Sequence, residues 1–283
     1  MKSASATVHG AISIVNAIAS GKGSSLGISL KTNAKVEFTH GNGITFEPEG
    51  EFRGDKLVRA VVKRTVPKQI LEQYHVKVRV NSEIPAGYGL KSSSAVSNAV
   101  SLACLKLVRG NPDDLEAINN AVDASFDAQV TITGAFDDAC ASYFGGFVIT
   151  DNLNRQLIRR EEAPNDLHAI IFIPQKAERN DPLRLQILSK FFDEAFNLAR
   201  NNEYWEAMML NGILVSAGLA IQYKPIKEAV EKGALAASVS GNGPALAAVA
   251  DKYCLDDIVK SWIAYDGKVI VARVNNEKAM IVG

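Results

Sequence analysis

Residues 85–100 read P-A-G-Y-G-L-K-S-S-S-A-V-S-N-A-V, and the rest of the chain is interpreted from this stretch. A turn rich in glycine leads directly into small and apolar residues with helical spacing. The first backbone N–H groups of a helix have no intrahelical partner and carry the positive end of the helix dipole. The pattern therefore predicts an anion site at the start of a helix, and phosphate is the expected anion.

Single residues of this loop suit an anion. Gly87 and Gly89 let the backbone approach a ligand closely, and Lys91 adds a mobile positive charge. Three consecutive serines, Ser92 to Ser94, add hydroxyl groups. The loop lacks the Gly-Lys-Ser/Thr ending of common nucleotide loops and the G-x-G-x-x-G spacing of dinucleotide sites. On physical grounds alone, an ordinary strand-to-helix turn capped by serine remains an open alternative.

A pair of carboxylates, Asp137-Asp138, lies in the segment T-I-T-G-A-F-D-D-A-C-A-S-Y-F-G-G-F at residues 131–147. Two adjacent acids are unusual in such an apolar context. Phosphoryl transfer uses such groups, because one carboxylate orients the acceptor hydroxyl and takes its proton. Either aspartate could instead cap a helix N-terminus, and this segment taken alone favours the cap.

Two further glycine-rich segments are less specific. S-G-N-G-P at residues 240–244 is typical of a turn between strands, since Gly241 and Gly243 can take positive φ. Residues 21–25 read Gly-Lys-Gly-Ser-Ser, but Gly23 stands where a nucleotide loop has Ser or Thr. We interpret residues 16–25 as a loop, with substrate contact as the minority interpretation.

Together these motifs resemble those of the GHMP small-molecule kinases, the superfamily of galactokinase, homoserine kinase and mevalonate kinase. Lys91 departs from the glycine that most members carry, and Ser94 departs from an alanine. The form G-L-K-S-S-S-A is similar to the archaeal type of shikimate kinase within that superfamily. The family pattern P-x-x-x-G-L-x-S-S-[AS]-A is matched at Pro85, Gly89, Leu90, Ser92, Ser93 and Ala95.

The resemblance implies an α+β fold of two domains. Residues 1–160 would form an N-terminal domain like the second domain of a ribosomal small-subunit protein, carrying the ATP-phosphate loop. Residues 161–283 would form a ferredoxin-like C-terminal domain. ATP and the acceptor would meet between the two.

The resemblance also implies site residues. Lys91 would support the developing charge, and the catalytic base would be Asp138, with Asp137 as the other possible alignment. Asp127 lies eleven positions before Asp138, the interval at which the family carries an acidic Mg²⁺ ligand. Ser93 and Asp127 are therefore expected to hold Mg²⁺, although a solvated helix face explains Asp127 almost as well. ATP is expected on Pro85, Ala86, Gly87, Tyr88, Gly89, Leu90, Lys91, Ser92, Ser93, Ser94 and Ala95.

The implied acceptor is shikimate, which would become its 3-phosphate in aromatic amino-acid biosynthesis. Homoserine or mevalonate kinase is the enzymatic alternative, and a catalytically silent ligand-sensing relative is the non-enzymatic one. A basic residue should face the carboxylate of shikimate, and Lys22, Arg79 and Arg179 are the candidates. Substrate contacts are expected at Asn16, Lys22, Gly241, Asn242 and Gly243.

Composition limits the other possibilities. The chain has 283 residues, with 31 Lys plus Arg and 31 Asp plus Glu, so no net charge attracts nucleic acid or an anionic membrane. Its three cysteines, Cys104, Cys140 and Cys254, are odd in number and far apart, which predicts a reducing compartment. Polar residues interrupt the faint signal-like stretch 11–20, so we expect a cytoplasmic protein with no membrane partner. A monomer or a homodimer is expected.

Periodicity gives a first outline of the secondary structure. Helices are expected at residues 55–74 with a break at Pro67, and at 92–108, 113–129, 182–200 and 203–223. Strands are expected at residues 4–15, 27–38, 75–82, 143–150, 155–160, 168–174 and 268–274.

Overall fold

The computed structural model describes residues 2–50, 52–176 and 179–282. A sheet of seven strands forms the first layer, in the order β11-β1-β2-β4-β3, with β5 paired to β2 and β6 paired to β5. Its pairs are antiparallel except β3 with β4. The strands are β1 Lys2–Val15, β2 Lys22–His40, β3 Ile44–Glu49, β4 Tyr74–Ser82, β5 Phe147–Asp151, β6 Gln156–Glu161 and β11 Met280–Val282.

Helix α3 is the central element packed on this sheet. Its residues are mostly small, and it lies against β1 and β2 on one side and α1, α4 and α5 on the others. Three polar side chains on it donate to backbone carbonyls, those of Ser97, Asn98 and Ser101; for example, Asn98 Nδ2 donates to Ala139 O at 2.8 Å. The helices of this layer are α1 Asp55–Thr65, α2 Lys68–Gln73, α3 Ser92–Arg109, α4 Asp114–Asp127 and α5 Phe136–Phe144.

The second layer is an antiparallel sheet in the order β10-β7-β9-β8, with helices packed on it. Helix α7 contacts both β8 of this sheet and β1 of the first sheet, so it joins the two layers. The elements are β7 His168–Pro174, a 3₁₀ segment Pro182–Leu188, α6 Ser189–Arg200, α7 Tyr204–Leu219, α8 Lys224–Glu231, β8 Ala236–Val239, β9 Leu246–Ala250, α9 Leu255–Ile263 and β10 Gly267–Arg273.

The α+β class with two sheets agrees with the sequence analysis, and so does the helix break at Pro67. The division at residue 160 stays a prediction. Strand β6 of the first sheet runs through this point to Glu161, and β11 at residues 280–282 returns to pair with β1. Among the described residues, none of the helices has the length and hydropathy needed to cross a membrane.

Residues 22–25 are a correction, because they were expected to lie in a loop. They form the start of β2, where all four pair with β5, and Ser24 and Ser25 also pair with β1. Backbone pairing to two neighbours outweighs the turn preference of Gly and Ser. A second correction concerns residues 182–188, which were expected to be α-helical but form a 3₁₀ segment before α6.

Candidate active site

The loop between β4 and α3 has the backbone of an anion cradle. Gly87 and Gly89 both have φ of +83°, and Lys91 just before α3 is left-handed with φ 63°. The first helical bond runs from Ala95 N to Lys91 O, 2.9 Å, so the amides of Ser92 to Ser94 have no intrahelical acceptor. Ser92 Oγ is also buried without a partner in the described part of the chain. Such groups are the donors that a phosphate needs.

The S-G-N-G-P segment packs directly on this loop. Ser240 Oγ donates to Gly89 O at 2.8 Å, and Ala245 N donates to Tyr88 O at 3.2 Å. A Cβ on Gly89 would overlap the carbonyl oxygen of Ser240. Residue 89 must therefore be glycine for two reasons, its positive φ and this close approach.

Gly89→Ala is expected to destabilise the protein more than Gly110→Ala. Both glycines have φ of +83°, but a Cβ on Gly110 meets nothing within 4 Å. Both variants therefore bear the left-handed strain of a non-glycine residue, and only Gly89→Ala adds the overlap. The extra loss should be about 1–3 kcal/mol in free energy of unfolding, measured by urea denaturation. Equal losses would contradict the packing of the two loops.

Lys91 and Asp138 form a largely buried ion pair. Lys91 Nζ lies 2.7 Å from Asp138 Oδ1, and the two side chains are 3% and 20% exposed. Asp138 lies in the first turn of α5, where the helix dipole also favours a negative charge. The cap interpretation of Asp137-Asp138 is wrong, because the N-cap of α5 is Ala135 and both aspartates lie inside the first turn of the helix.

Asp137 is more deeply buried than its neighbour. Asn152 Nδ2 donates to Asp137 Oδ1 at 2.7 Å, and Asn152 Oδ1 accepts from Asp137 N at 3.1 Å. Gly23 leaves space for this carboxylate, since a Cβ there would lie 2.6 Å from Asp137 Oδ2. Burial, followed by the charge of Asp138, raises the pKa of Asp137 to about 7.

Asp137→Asn is expected to change how stability depends on pH. The ordinary pKa of an Asp is near 3.8. Between pH 4 and 7 the folded chain therefore holds a proton that the unfolded chain has released, and the free energy of unfolding falls as pH rises. Asp137→Asn has no such proton to release. From pH 4 to 7 the free energy of unfolding of the parent should therefore fall by up to about 4 kcal/mol relative to that of the variant. Urea unfolding of both proteins at pH 4, 5.5 and 7 measures this; parallel curves would contradict it.

Asp138 and Lys91 open onto a cavity of about 340 Å³. Four parts of the chain line it: β1 with the turn after it, the start of α3, residues 125–138, and Gly241 with Asn242. Ser93, the predicted metal ligand at the start of α3, also lines it. Among the described lining residues, Lys91 is the only cation, and most of the others are Ser, Thr, Asn or Gln.

The predicted substrate residues separate into two groups. Asn16, Gly241 and Asn242 line the cavity, and Asn16 Nδ2 donates to Gly241 O and to Asn242 Oδ1, both at 2.9 Å. Gly243 shapes the turn by donating from its N to Ser240 O, but it does not line the cavity. Lys22 lies on β2 and pairs with Asp193 at 3.2 Å, outside the cavity.

Asp127 is not brought to the site. Both of its carboxylate oxygens accept from Arg64, at 2.6 and 2.8 Å, and its side chain is 42% exposed. Ser125 and Gln129 on either side of it line the cavity, but Asp127 does not. The end of α4 therefore holds this carboxylate in an exposed pair with Arg64, and the solvated-face alternative describes its position.

The candidate partners for a substrate carboxylate are also apart from the cavity. Arg79 pairs with Glu37 and Glu47 on the first sheet. Arg179 reaches the phosphate loop instead, where its guanidinium donates to Gly87 O at 2.8 Å. Neither arginine lines the cavity around Asp138.

Ser13, Asn152 and Asn211 are site residues that sequence reasoning missed. Asn152 holds Asp137, and Asn211 Oδ1 accepts from Asn16 N at 2.9 Å. Ser13 Oγ accepts from Lys91 Nζ at 2.7 Å. The one local sign of Ser13 was a polar residue inside the apolar strand A-I-S-I-V, which does not reveal its partner.

Known proteins resemble this chain over most of its length. The sequence profile of the GHMP kinases N terminal domain matches residues 56–146. The shikimate kinase of Methanothrix thermoacetophila is 42% identical, covering 97% of this chain and 94% of its own. That of Pyrococcus abyssi is 40% identical, covering 93% and 96%.

Solved structures show the same fold at low identity. The Methanococcus jannaschii mevalonate kinase has a TM-score of 0.77 at 13% identity, covering 96% of this chain and 98% of its own. A homoserine kinase from Cytophaga hutchinsonii has a TM-score of 0.75 at 15% identity, covering 100% and 98%. The fold, the loop and the near full-length similarity agree, and the chain belongs to the GHMP kinases, in the family of the archaeal shikimate kinases.

Proposed function

We propose that this protein transfers the γ-phosphoryl group of ATP to shikimate and forms shikimate 3-phosphate, a step of aromatic amino-acid biosynthesis. The observation that carries the proposal is the Lys91–Asp138 pair, which opens onto a polar cavity beside the free amides of α3. Family membership supports ATP as the phosphoryl donor and an alcohol as the acceptor. The names of the relatives at 42% and 40% identity support shikimate as that alcohol.

In the proposed reaction, the ATP phosphates lie on the loop Pro85–Ala95, against the amides of Ser92 to Ser94. Asp138 accepts a hydrogen bond from the reacting hydroxyl and takes its proton. A bond forms between that oxygen and the γ-phosphorus, the bond from phosphorus to the β–γ bridging oxygen breaks, and ADP leaves. Lys91 Nζ lies beside Asp138 and stabilises the charge that develops on the transferred group.

We infer that Mg²⁺ accompanies ATP and neutralises phosphate charge when bound. Ser93 is the residue that we assign to it, because its side chain lines the cavity at the start of α3. Mg²⁺ is usually held by one or two protein groups together with substrate phosphates. The described residues contain no cluster of three or more His, Cys, Asp or Glu side chains arranged around a metal, which fits such a sparse site. Asp127 is not assigned to it.

The location and assembly of the protein are also proposals. The two buried cysteines, Cys104 and Cys140, are free thiols. Free thiols and the use of ATP both favour the cytoplasm. A monomer or a homodimer remains the expectation from sequence.

Coupled ADP release with MgATP and a panel of shikimate, homoserine, mevalonate and galactose tests the function. Turnover with shikimate alone is the expected result. Turnover with another member of the panel would replace the substrate and keep the reaction class. ATP binding without turnover of any member would favour the ligand-sensing alternative.

A further inference from the structure

Three parts of the chain meet at one buried hydroxyl, Ser13 Oγ on β1. The residue is 1% exposed and lines the cavity. Lys91 Nζ donates to its oxygen at 2.7 Å, and Gly241 N donates to the same oxygen at 2.9 Å. The backbone is held as well, because Ser13 N donates to Ser240 Oγ at 3.3 Å. Ser13 therefore connects the phosphate loop and the S-G-N-G-P turn to the first sheet.

The two bonds account for the accepting capacity of this hydroxyl. A serine hydroxyl offers two lone pairs and one hydrogen. Both lone pairs are used by Lys91 and Gly241, so only the hydrogen is left. Within residues 2–50, 52–176 and 179–282, no hydrogen bond gives that hydrogen a protein acceptor. A buried donor is costly to leave unpaired, and because Ser13 lines the cavity, a ligand bound there can supply the acceptor.

Lys91 determines where a partner for this hydrogen would lie. Its Nζ is 2.7 Å from Ser13 Oγ and 2.7 Å from Asp138 Oδ1, so both oxygens lie around one ammonium group. In the proposed reaction, the reacting hydroxyl gives its hydrogen to Asp138 and a lone pair to phosphorus. A hydrogen bond from Ser13 to that same oxygen would lower its nucleophilicity. A hydroxyl on the adjacent carbon avoids this conflict and stays within reach of Ser13.

We propose that Ser13 donates its hydroxyl hydrogen to a second hydroxyl group of the molecule that is phosphorylated, on the carbon next to the one that carries the reacting hydroxyl. The site thereby selects a vicinal diol, while the same serine positions Lys91. This inference rests on the proposed function and specifies the substrate feature that the cavity recognises. For shikimate, the reacting oxygen is on C3 and the recognised oxygen is on C4.

The test combines an enzyme variant with a substrate analogue. The parent enzyme and Ser13→Ala are each assayed with shikimate and with 4-deoxyshikimate, which keeps the reacting hydroxyl and lacks its neighbour. The parent should prefer shikimate by about 10-fold in kcat/KM, because the analogue leaves the Ser13 hydrogen unpaired. Ser13→Ala should show a ratio near 1. Its kcat with shikimate should also fall by about 10-fold, since Lys91 loses an acceptor.

Ser101→Ala is the matched control, since Ser101 is another fully buried serine of the same layer. Its Oγ donates to Ala117 O at 2.9 Å between α3 and α4. The control should keep the parent's preference for shikimate. Thermal unfolding confirms that the variants are folded, and Ser13→Cys, which is nearly isosteric, replaces Ser13→Ala if the latter does not fold.

The outcomes separate the two proposals. Equal preference for shikimate in the parent and in Ser13→Ala would overturn the contact with the second hydroxyl, even if kcat falls. No turnover of shikimate by the parent enzyme would instead overturn the proposed function.

Discussion

Asp138→Asn should lower kcat with shikimate by about 1,000-fold, the middle of the range for loss of a general base. The amide keeps the shape of the side chain but cannot take the proton of the acceptor hydroxyl. It also leaves the ammonium of Lys91, now 2.7 Å from a carboxylate oxygen, without its ionic partner. ATP affinity should change by less than about threefold, because Asp138 lies in α5 and the phosphate loop is formed by other residues. Single-turnover kinetics and equilibrium ATP binding measure the two quantities.

Asp127→Asn provides the matched control for that variant. It makes the same chemical change eleven residues earlier, at a carboxylate that is paired with Arg64 on the exterior. Its kcat and its Mg²⁺ dependence should stay within about twofold of the parent, since exposed ion pairs contribute little. Parental kcat in Asp138→Asn would contradict the assignment of Asp138 as the catalytic base. A strong Mg²⁺ defect in Asp127→Asn would instead return that residue to the metal site.

Lys91→Met is expected to lower kcat by about 100-fold to 1,000-fold, the typical effect of removing one preorganised charge-stabilising group. Methionine keeps much of the side-chain volume, so the loop should retain its packing. Within the described residues, no other cation lines the cavity, and no neighbour can supply the missing charge. Initial-rate kinetics with varied MgATP separate the loss in kcat from any change in KM.

Lys22→Met is the control for the lysine variant. Lys22 is paired with Asp193 at 3.2 Å and does not line the cavity. Its kcat and its KM for shikimate should remain within about threefold of the parent. A Lys91→Met enzyme with parental kcat would contradict the charge-stabilising role of Lys91. A Lys22→Met enzyme with a strongly raised KM for shikimate would return Lys22 to the substrate site.

The parts of the site that depend on local chemistry were accessible from sequence. The loop at residues 87–94 predicts an anion cradle because glycine can take positive φ and serine carries a hydroxyl group wherever they occur. Neither property depends on a distant segment. The same holds for the alternation that predicts β4 and for the break at Pro67. The specific assignment of Asp138 came from family spacing, and its catalytic role remains a proposal.

Contacts between distant segments were not accessible in this way. Ser13 and Lys91 are 78 residues apart, and Asn16 and Asn242 are 226 apart, so no local pattern indicates either pair. Asp127 has the expected interval along the chain, but an interval does not determine which way a side chain faces at the end of a helix. Residues 22–25 carry the composition of a loop and form a strand because β5 pairs with all four of them and β1 pairs with Ser24 and Ser25.

Helix α7 has a consequence for the way ligands enter and leave. The side chain of its Asn211 is fully buried and hydrogen-bonds to Asn16 N and to Ser238 Oγ, both at 2.9 Å. This one amide therefore connects the turn after β1 to strand β8. Separating the two layers would break both of these buried hydrogen bonds, which is costly because their polar groups would be left without partners. Passage through the mouth of the cavity costs less. There Val130 and Ile132 are about half exposed, so the rearrangement that admits shikimate should be confined to this rim.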